Sequence, residues 1–347
     1  MDFRQEIRRI ALGLSPILEI GPSYNPILPK KDGYSVRTVD HASQSDLIKK
    51  YSDFGVDVSK IEPVDYITTD IGSLSANNIK YKIILASHVI EHTTDIIQFI
   101  NDCSKLLDDN GKLILLVPDK RYCFDTYRPL STAGSAIDAH LSGRSKHQGA
   151  VFDHYAFFTL RDGAMAWGEG SSGTESLIHS AAESVEALHG SIKKIEYVDA
   201  HEWVFTPKSF EMTIQDLSDC KMIDLCVETQ HDTLGYEFFT ILSRKKQEVR
   251  LARADYLHAI RREELAISLQ SISSSEVIGL LDATHPELKL VSLIDQAKEV
   301  SIHNQQLKSE IRDLSINLEQ LHRSTSWKIT APIRKVKYML SLFLGRA

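Results

Sequence analysis

Residues 82–118 read KIILASHVIEHTTDIIQFINDCSKLLDDNGKLILLVP, and this stretch decides the fold. A short apolar run, Lys82–Ala86, leads into a helical pattern over Thr94–Leu107. There Ile96, Ile97, Ile100, Cys103 and Leu107 share one face. An Asp109-Asn110-Gly111 turn then feeds Lys112–Val117, the strongest strand pattern in the chain. Strand, helix and strand in this order make a crossover between parallel neighbours. The almost unbroken apolar run of the second strand suits a central position, buried on both faces.

Upstream, the same alternation supplies strands at Pro16–Ile20, Val36–Val39 and Asp65–Thr69. It predicts an α/β fold with a parallel sheet. Between Asp119 and about Glu202 the alternation fails. That segment is rich in Gly, Ser, His and aromatic residues, as in RYCFDTYRP (121–129) and VFDHYAFFTLRDG (151–163). Irregular insertions of this kind cover a rigid sheet and shape substrate pockets. Regularity resumes with a helix at Pro207–Leu217 and strands at Met222–Gln230 and Glu237–Arg244. HDTLGY joins the last two, short enough for a hairpin-like connection. The first domain is thus expected over 1–246, with its insertion at about 119–202.

The chain has 347 residues, more than one ordinary core needs. Residues 247–325 read as helical. From Ala297, Val300, Leu307, Leu314 and Leu321 alternate with Asn304, Ile311 and Leu318 at heptad spacing. A coiled-coil homodimer is expected, the polar Asn304 fixing register; a helix packed on the body would show nearly the same pattern. Residues 326–347 form a basic amphipathic stretch in which Trp327, Ile329, Ile333, Val336, Tyr338, Met339, Leu340 and Leu342 interleave with Lys328, Arg334, Lys335 and Lys337. It suits peripheral contact with an anionic membrane, or docking on a protein.

A net charge of −7 gives no reason to expect nucleic-acid binding. Six cations and no carboxylate fall between Arg323 and Ala347, which leaves −13 on the remainder. Cys103, Cys123, Cys220 and Cys226 form no CxxC pair, so neither a zinc site nor a disulfide framework is signalled. MDFRQEIRRI lacks the apolar run of a signal peptide, and no run of about 18 apolar residues occurs. A cytoplasmic protein is expected, with peripheral contact on the inner face of the membrane as a second expectation.

SPILEIGPSYNP (15–26) places an acidic strand end before a single-glycine turn. The three-glycine dinucleotide fingerprint is absent, which argues against a nicotinamide enzyme. Gly21 permits close backbone approach to a ligand. Asp40, ending VRTVD, suits a ribose diol, and Asp70, in TTDIGSL, suits an adenine amino group. Taken in order, LEIGP, TVDHA, TTDIGSL, ILASHVIEHTTD and DDNGKLILLVPD resemble the class I S-adenosylmethionine (SAM)-dependent methyltransferases. HVIEH resembles the group acting on quinones and small molecules. The resemblance spans roughly Ile17–Arg244, with Pro22 where a further glycine-rich turn is common. It implies a Rossmann-like seven-stranded sheet with only the last-inserted strand antiparallel. It implies SAM as cofactor, with Glu19, Gly21 and Pro22 at the methionine part, Asp40 and His41 at the ribose, and Asp70 with Ile71 at the adenine. Ser87 and His88 would line the pocket near the methyl group. Glu91 and His92 are expected to cap and brace the following helix.

Methylation of a hydroxyl needs a base, and histidine is the usual one at neutral pH. His154, His201 and His88 are the catalytic candidates; His140 and His147 lie in the same insertion. Arg121, Arg128 and Arg144 could bind an anionic acceptor. No ligand spacing supports a metal. STSWKITAPIRKV (324–336) resembles a segment near the ends of bacterial polysaccharide-assembly proteins. The expected function is O-methylation of a sugar or glycan-linked acceptor in surface polysaccharide biosynthesis. The alternatives are methylation of a small metabolite or quinone-like lipid, and a non-catalytic scaffold assembled through the coiled coil.

Overall fold

The computed structural model describes residues 2–171, 173–193, 198–245 and 250–270. In chain order the elements are α1 (Phe3–Ala11), β1 (Ile17–Ile20), β2 (Val36–Asp40), α2 (Gln44–Tyr51), β3 (Tyr66–Ile67), β4 (Tyr81–Ser87), α3 (Ile96–Leu106) and β5 (Leu107–Pro118). The insertion contributes α4 (Ala133–Leu141), α5 (Gly149–Ala156), β6 (Thr159–Arg161), β7 (Glu175–Leu177) and α6 (Ala181–Lys193). Then follow α7 (Pro207–Asp219), β8 (Cys226–Leu234), β9 (Glu237–Ser243) and α8 (Arg253–Gln270). The seam at 297–321 and the basic stretch at 326–347 lie outside the described residues.

Seven strands form one sheet in the order β3-β2-β1-β4-β5-β9-β8. β1, β2, β3, β4 and β5 run parallel, and β9 is antiparallel to both β5 and β8. The α/β class and the single reversed strand agree with the sequence reading. Side chains alternate between two cores with the period of a pleated strand. Leu113, Leu115 and Val117 of β5 pack on one face with α3, α4 and α7, while Ile114 and Leu116 pack on the other with Phe3, Ile7 and Ala11 of α1. Both faces being covered explains why β5 lacks a polar alternation.

The expected turn at Asp109-Asn110-Gly111 is a bulge within β5: the register jumps from Tyr81↔Leu107 to Ile83↔Lys112. Gly111 is required there, because a Cβ would stand 2.8 Å from the Tyr81 carbonyl oxygen. The helix before it ends at Leu106, so Leu107 belongs to the sheet. HDTLGY is mostly strand; only Gly235 and Tyr236 separate β8 from β9.

The insertion is more regular than its composition suggests. α4 is nucleated by a capping box between Thr132 and Ser135, which glycine and serine content obscures. Its two ends meet at the sheet: Asp119 bridges to Phe205, and the Lys120 N–H donates to the Phe205 carbonyl at 2.9 Å. The compact unit also continues beyond Lys246, to residue 271. α8 lies on α7, with Tyr256 buried and donating its hydroxyl to Glu211 at 3.0 Å. Arg253 pairs with Asp216 nearby.

Candidate active site

The carboxyl ends of β1, β2 and β4 set out the first part of the site. Gly21 follows β1 at φ +63°, donating its N–H to the Val39 carbonyl at 2.8 Å. A Cβ there would meet Val89 Cγ2 at 3.0 Å, so the positive φ favours glycine and the space beside it is tight. Pro22 starts a tight turn closed by the Asn25 N–H on its carbonyl, 2.9 Å, and Ser23 takes a second positive φ, +45°. The turn therefore forms with one glycine only. Ser23 Oγ is buried without a hydrogen-bond partner among the described residues.

Glu19 is buried, and its two carboxylate oxygens accept the Ile27 and Leu28 N–H groups at 2.7 and 3.2 Å. Burial pushes its pKa up to about 7, against the lowering effect of those two amides. It holds the loop after the turn, where the resemblance placed it against the methionine part. Asp40 is also buried; Oδ1 accepts the His41 N–H at 2.8 Å and Oδ2 the Ser23 N–H at 3.3 Å. His41 lies beside it, Nδ1 at 2.7 Å from Oδ1. Asp70 is exposed and caps a short 3₁₀ turn through the Ser73 N–H at 3.3 Å, with buried Ile71 next in the chain.

Ser87 ends β4, half-buried. His88 then adopts φ +52°, a left-handed conformation that costs a non-glycine residue about 1–2 kcal/mol. Its N–H donates to the Leu116 carbonyl at 2.9 Å, and Nε2 sits 2.7 Å from Glu237 Oε2. Burial works against a charged ring, but the Glu237 hydrogen bond and the charges of Glu91 and Glu237 outweigh it and raise the pKa. His88 is thereby better suited to hold a proton than to take one.

The insertion brings a second group of side chains onto this edge. Residues 199–203 run beside residues 90–93. The Glu202 and Trp203 N–H groups donate to the Glu91 carbonyl at 2.7 and 3.1 Å, and Trp203 Nε1 donates to the Thr93 carbonyl at 2.6 Å. His92 and His201 consequently meet edge to face, ring centres 4.6 Å apart. His201 is buried and bonded through Nδ1 to Asp125, which Arg128 also holds at 2.9 Å. Burial would raise Asp125, but His201 and Arg128 outweigh it and keep its pKa far below the usual range. His154 of α5 lies 6.0 Å from His201, ring centre to ring centre, among Phe124, Tyr155 and Phe158. Burial lowers its pKa to about 4, and Nδ1 has no hydrogen-bond partner among the described residues.

Other expected roles go elsewhere. α3 is capped by Asp95, whose side chain accepts the Gln98 N–H at 2.9 Å, so Glu91 and His92 do not cap it. His140 bonds Asp95, and His147 and Arg144 both bond Glu202. Arg121 is committed to Asp119 and Arg128 to Asp125. Arg121, Arg128 and Arg144 thus all have carboxylate partners, as does Arg161 of β6. The absence of a metal-ligand spacing in the sequence did not reveal a cluster that the fold assembles. Glu91, His92 and His201 each offer a ligand atom within 4.8 Å of the others. The first two are adjacent and the third lies over a hundred residues away, so no spacing could signal it.

No family model and no curated protein matches this chain. Among solved structures, the chain is similar to the CcbJ methyltransferase of Streptomyces caelestis, at 11% identity and TM-score 0.37, over 69% of this chain and 92% of that one. It is also similar to the glycopeptide N-methyltransferase MtfA complexed with SAM (13%, TM-score 0.35, 70% and 93%). A third likeness is to a chain described as a putative Zn-dependent alcohol dehydrogenase of Rhodobacter sphaeroides (12%, TM-score 0.38, 71% and 91%). Scores below 0.5 leave the fold and the site to be judged on this chain's own residues.

Proposed function

We propose that the protein is a SAM-dependent methyltransferase acting on a hydroxyl of a sugar or glycan-linked acceptor, in surface polysaccharide biosynthesis. The observation that carries this reading is the carboxyl edge of the sheet. Gly21 there holds a positive φ with the Val89 methyl close by, and buried Asp40 is tied to the turn through the Ser23 amide. The strand order with β9 alone reversed supports it. The residues fit a nucleoside ligand. Buried Ser23 Oγ lacks a partner among the described residues, and the Asp40 oxygens keep lone pairs beyond the amides they accept. Gly21 and the turn would hold the methionine end, Asp40 the ribose, and Asp70 with Ile71 the adenine. Bound SAM supplies a methyl group already activated by its sulfonium.

The remaining work falls to the chain. The aromatic side chains of Phe124, Tyr155 and Phe158 exclude water around His154. Its imidazole, held neutral, accepts the proton of the acceptor hydroxyl. A pKa of about 4 suffices, because the oxygen becomes strongly acidic as its new bond to carbon forms. His88, whose pKa is raised by the Glu237 hydrogen bond and the charges of Glu91 and Glu237 against burial, orients rather than deprotonates. The segment 297–321 would pair two chains as a coiled coil, and residues 326–347 would rest on an anionic membrane surface.

The test is methyl transfer from labelled SAM to a panel of nucleotide sugars, sugar phosphates and isolated glycans, alongside calorimetry of SAM binding. Labelled product on one acceptor class names the substrate. A folded protein that does not bind SAM ends the reading.

A further inference from the structure

Glu91 poses the sharpest unresolved problem in the molecule. It is 0% exposed, and neither carboxylate oxygen has a hydrogen-bond donor among the described residues. A buried carboxylate that accepts no hydrogen bond is costly, and the His88 ring beside it, already bonded to Glu237, supplies none. The nearest nitrogens are His88 Nδ1 at 3.6 Å and His92 Nε2 at 3.8 Å, both too far for a hydrogen bond.

Both histidines of the cluster have a carboxylate beside the far ring nitrogen. His92 Nδ1 lies 2.8 Å from Asp199 Oδ1, and His201 Nδ1 is bonded to Asp125. Asp125 fixes the His201 ring through Nδ1 and turns its Nε2 toward the cluster as the nitrogen to offer a ligand. Metal-ligating histidines are oriented in this way by a carboxylate on the far nitrogen. The ligand atoms of Glu91, His92 and His201 lie within 4.8 Å of one another. Metal bonds of about 2.0–2.1 Å put tetrahedral ligands roughly 3.4 Å apart, so small side-chain rotations would close the set.

We propose that Glu91, His92 and His201 bind one divalent transition-metal ion of the zinc class. Two imidazoles and one carboxylate favour such an ion over magnesium or calcium, which take oxygen ligands. Three protein ligands leave a fourth position open, and on the methyltransferase reading the acceptor hydroxyl occupies it, beside His154. The ion would then lower the pKa of that hydroxyl before its proton passes to the imidazole. Only this role rests on that reading; the site itself does not.

The experiment uses the full chain, stripped with a chelator and titrated with Co²⁺, then with Zn²⁺ as competitor, followed by visible absorption. One Co²⁺ per chain with tetrahedral d–d bands, displaced by Zn²⁺, is expected. Glu91→Gln and His201→Ala should abolish the bands. Asp199→Asn, at a largely exposed position that disturbs folding least, should weaken binding roughly 10–100-fold. SAM affinity, measured in parallel, should stay within about twofold in the Asp199 variant, so failure of the metal site and failure of the cofactor reading are read separately. Absent bands in a folded wild-type protein would overturn the proposal. So would binding that the three substitutions do not change.

Discussion

Replacing Glu19 by Gln probes how the carboxyl edge is held together, and pH gives the readout. The carboxyl group is buried beneath the loop it braces, and its pKa rises from an ordinary 4.5 to about 7. An acid with a raised folded-state pKa stabilises the fold most when protonated in both states, below pH 4.5. As pH rises from there, the unfolded chain releases this proton before the folded one does, and stability falls until about pH 7. Each pH unit in that window is worth 1.36 kcal/mol, so the wild type should lose roughly 3 kcal/mol from this group alone. Gln cannot titrate, and its amide nitrogen faces one of the two N–H groups of Ile27 and Leu28 that the carboxylate accepts. The variant should therefore be less stable than wild type at pH 4.5, with the gap closing toward pH 7. Urea midpoints of both proteins at half-unit pH steps give the difference curve directly, because every other group cancels. Parallel curves across that window would refute the argument that burial governs Glu19.

Asp40→Ala should weaken SAM binding by about 1.5–3 kcal/mol, the worth of a charged hydrogen bond; calorimetry at constant salt measures it, and an unchanged affinity removes the ribose assignment. His154→Ala should leave SAM affinity intact while lowering turnover about a hundredfold; if turnover survives and His201→Ala removes it, the base is His201. Tyr256→Phe should cost about 1 kcal/mol, since Glu211 loses a buried donor, read as a lower thermal midpoint. Ending the chain after residue 271 should give a monomer that binds SAM and no longer sediments with anionic vesicles. Ending it after Lys246 should instead lower stability, because the side chain of Tyr256 is then missing from α7.

The sheet was legible because its strands carry their own signals. Apolar runs at β1, β2, β4, β5 and β9 and the helical period of α3 follow from burial alone, whatever surrounds them. α1 is less legible: Phe3, Ile7 and Ala11 recur every four residues, but the charged residues between them make the segment read as polar. The insertion misled through composition: α4 begins with a capping box that is a local hydrogen-bond pattern, visible in Thr132 and Ser135 only when sought. Gly21 and Asp40 stand where strand ends must place them. Glu91, in contrast, reads as a helix brace in sequence. What sets its surroundings is the pairing of residues 199–203 with residues 90–93, a contact between distant segments with no local periodicity to announce it.

The ends of the insertion, joined by one backbone hydrogen bond between Lys120 and Phe205, give the fold an exchangeable cassette. A loop whose ends already meet can lengthen away from the sheet, while α4 keeps its place in the core and residues 199–203 keep their pairing with residues 90–93. Doubling its length would cost only about 0.6 kcal/mol in closure entropy. Selection can therefore rewrite the acceptor-facing half of the pocket, enlarging it or changing its polarity, while β5 and α7 stay in register. Two such chains could keep nearly identical sheets and share no recognisable residue between Asp119 and Phe205, so divergence in that stretch would track a change of substrate more closely than a change of ancestry.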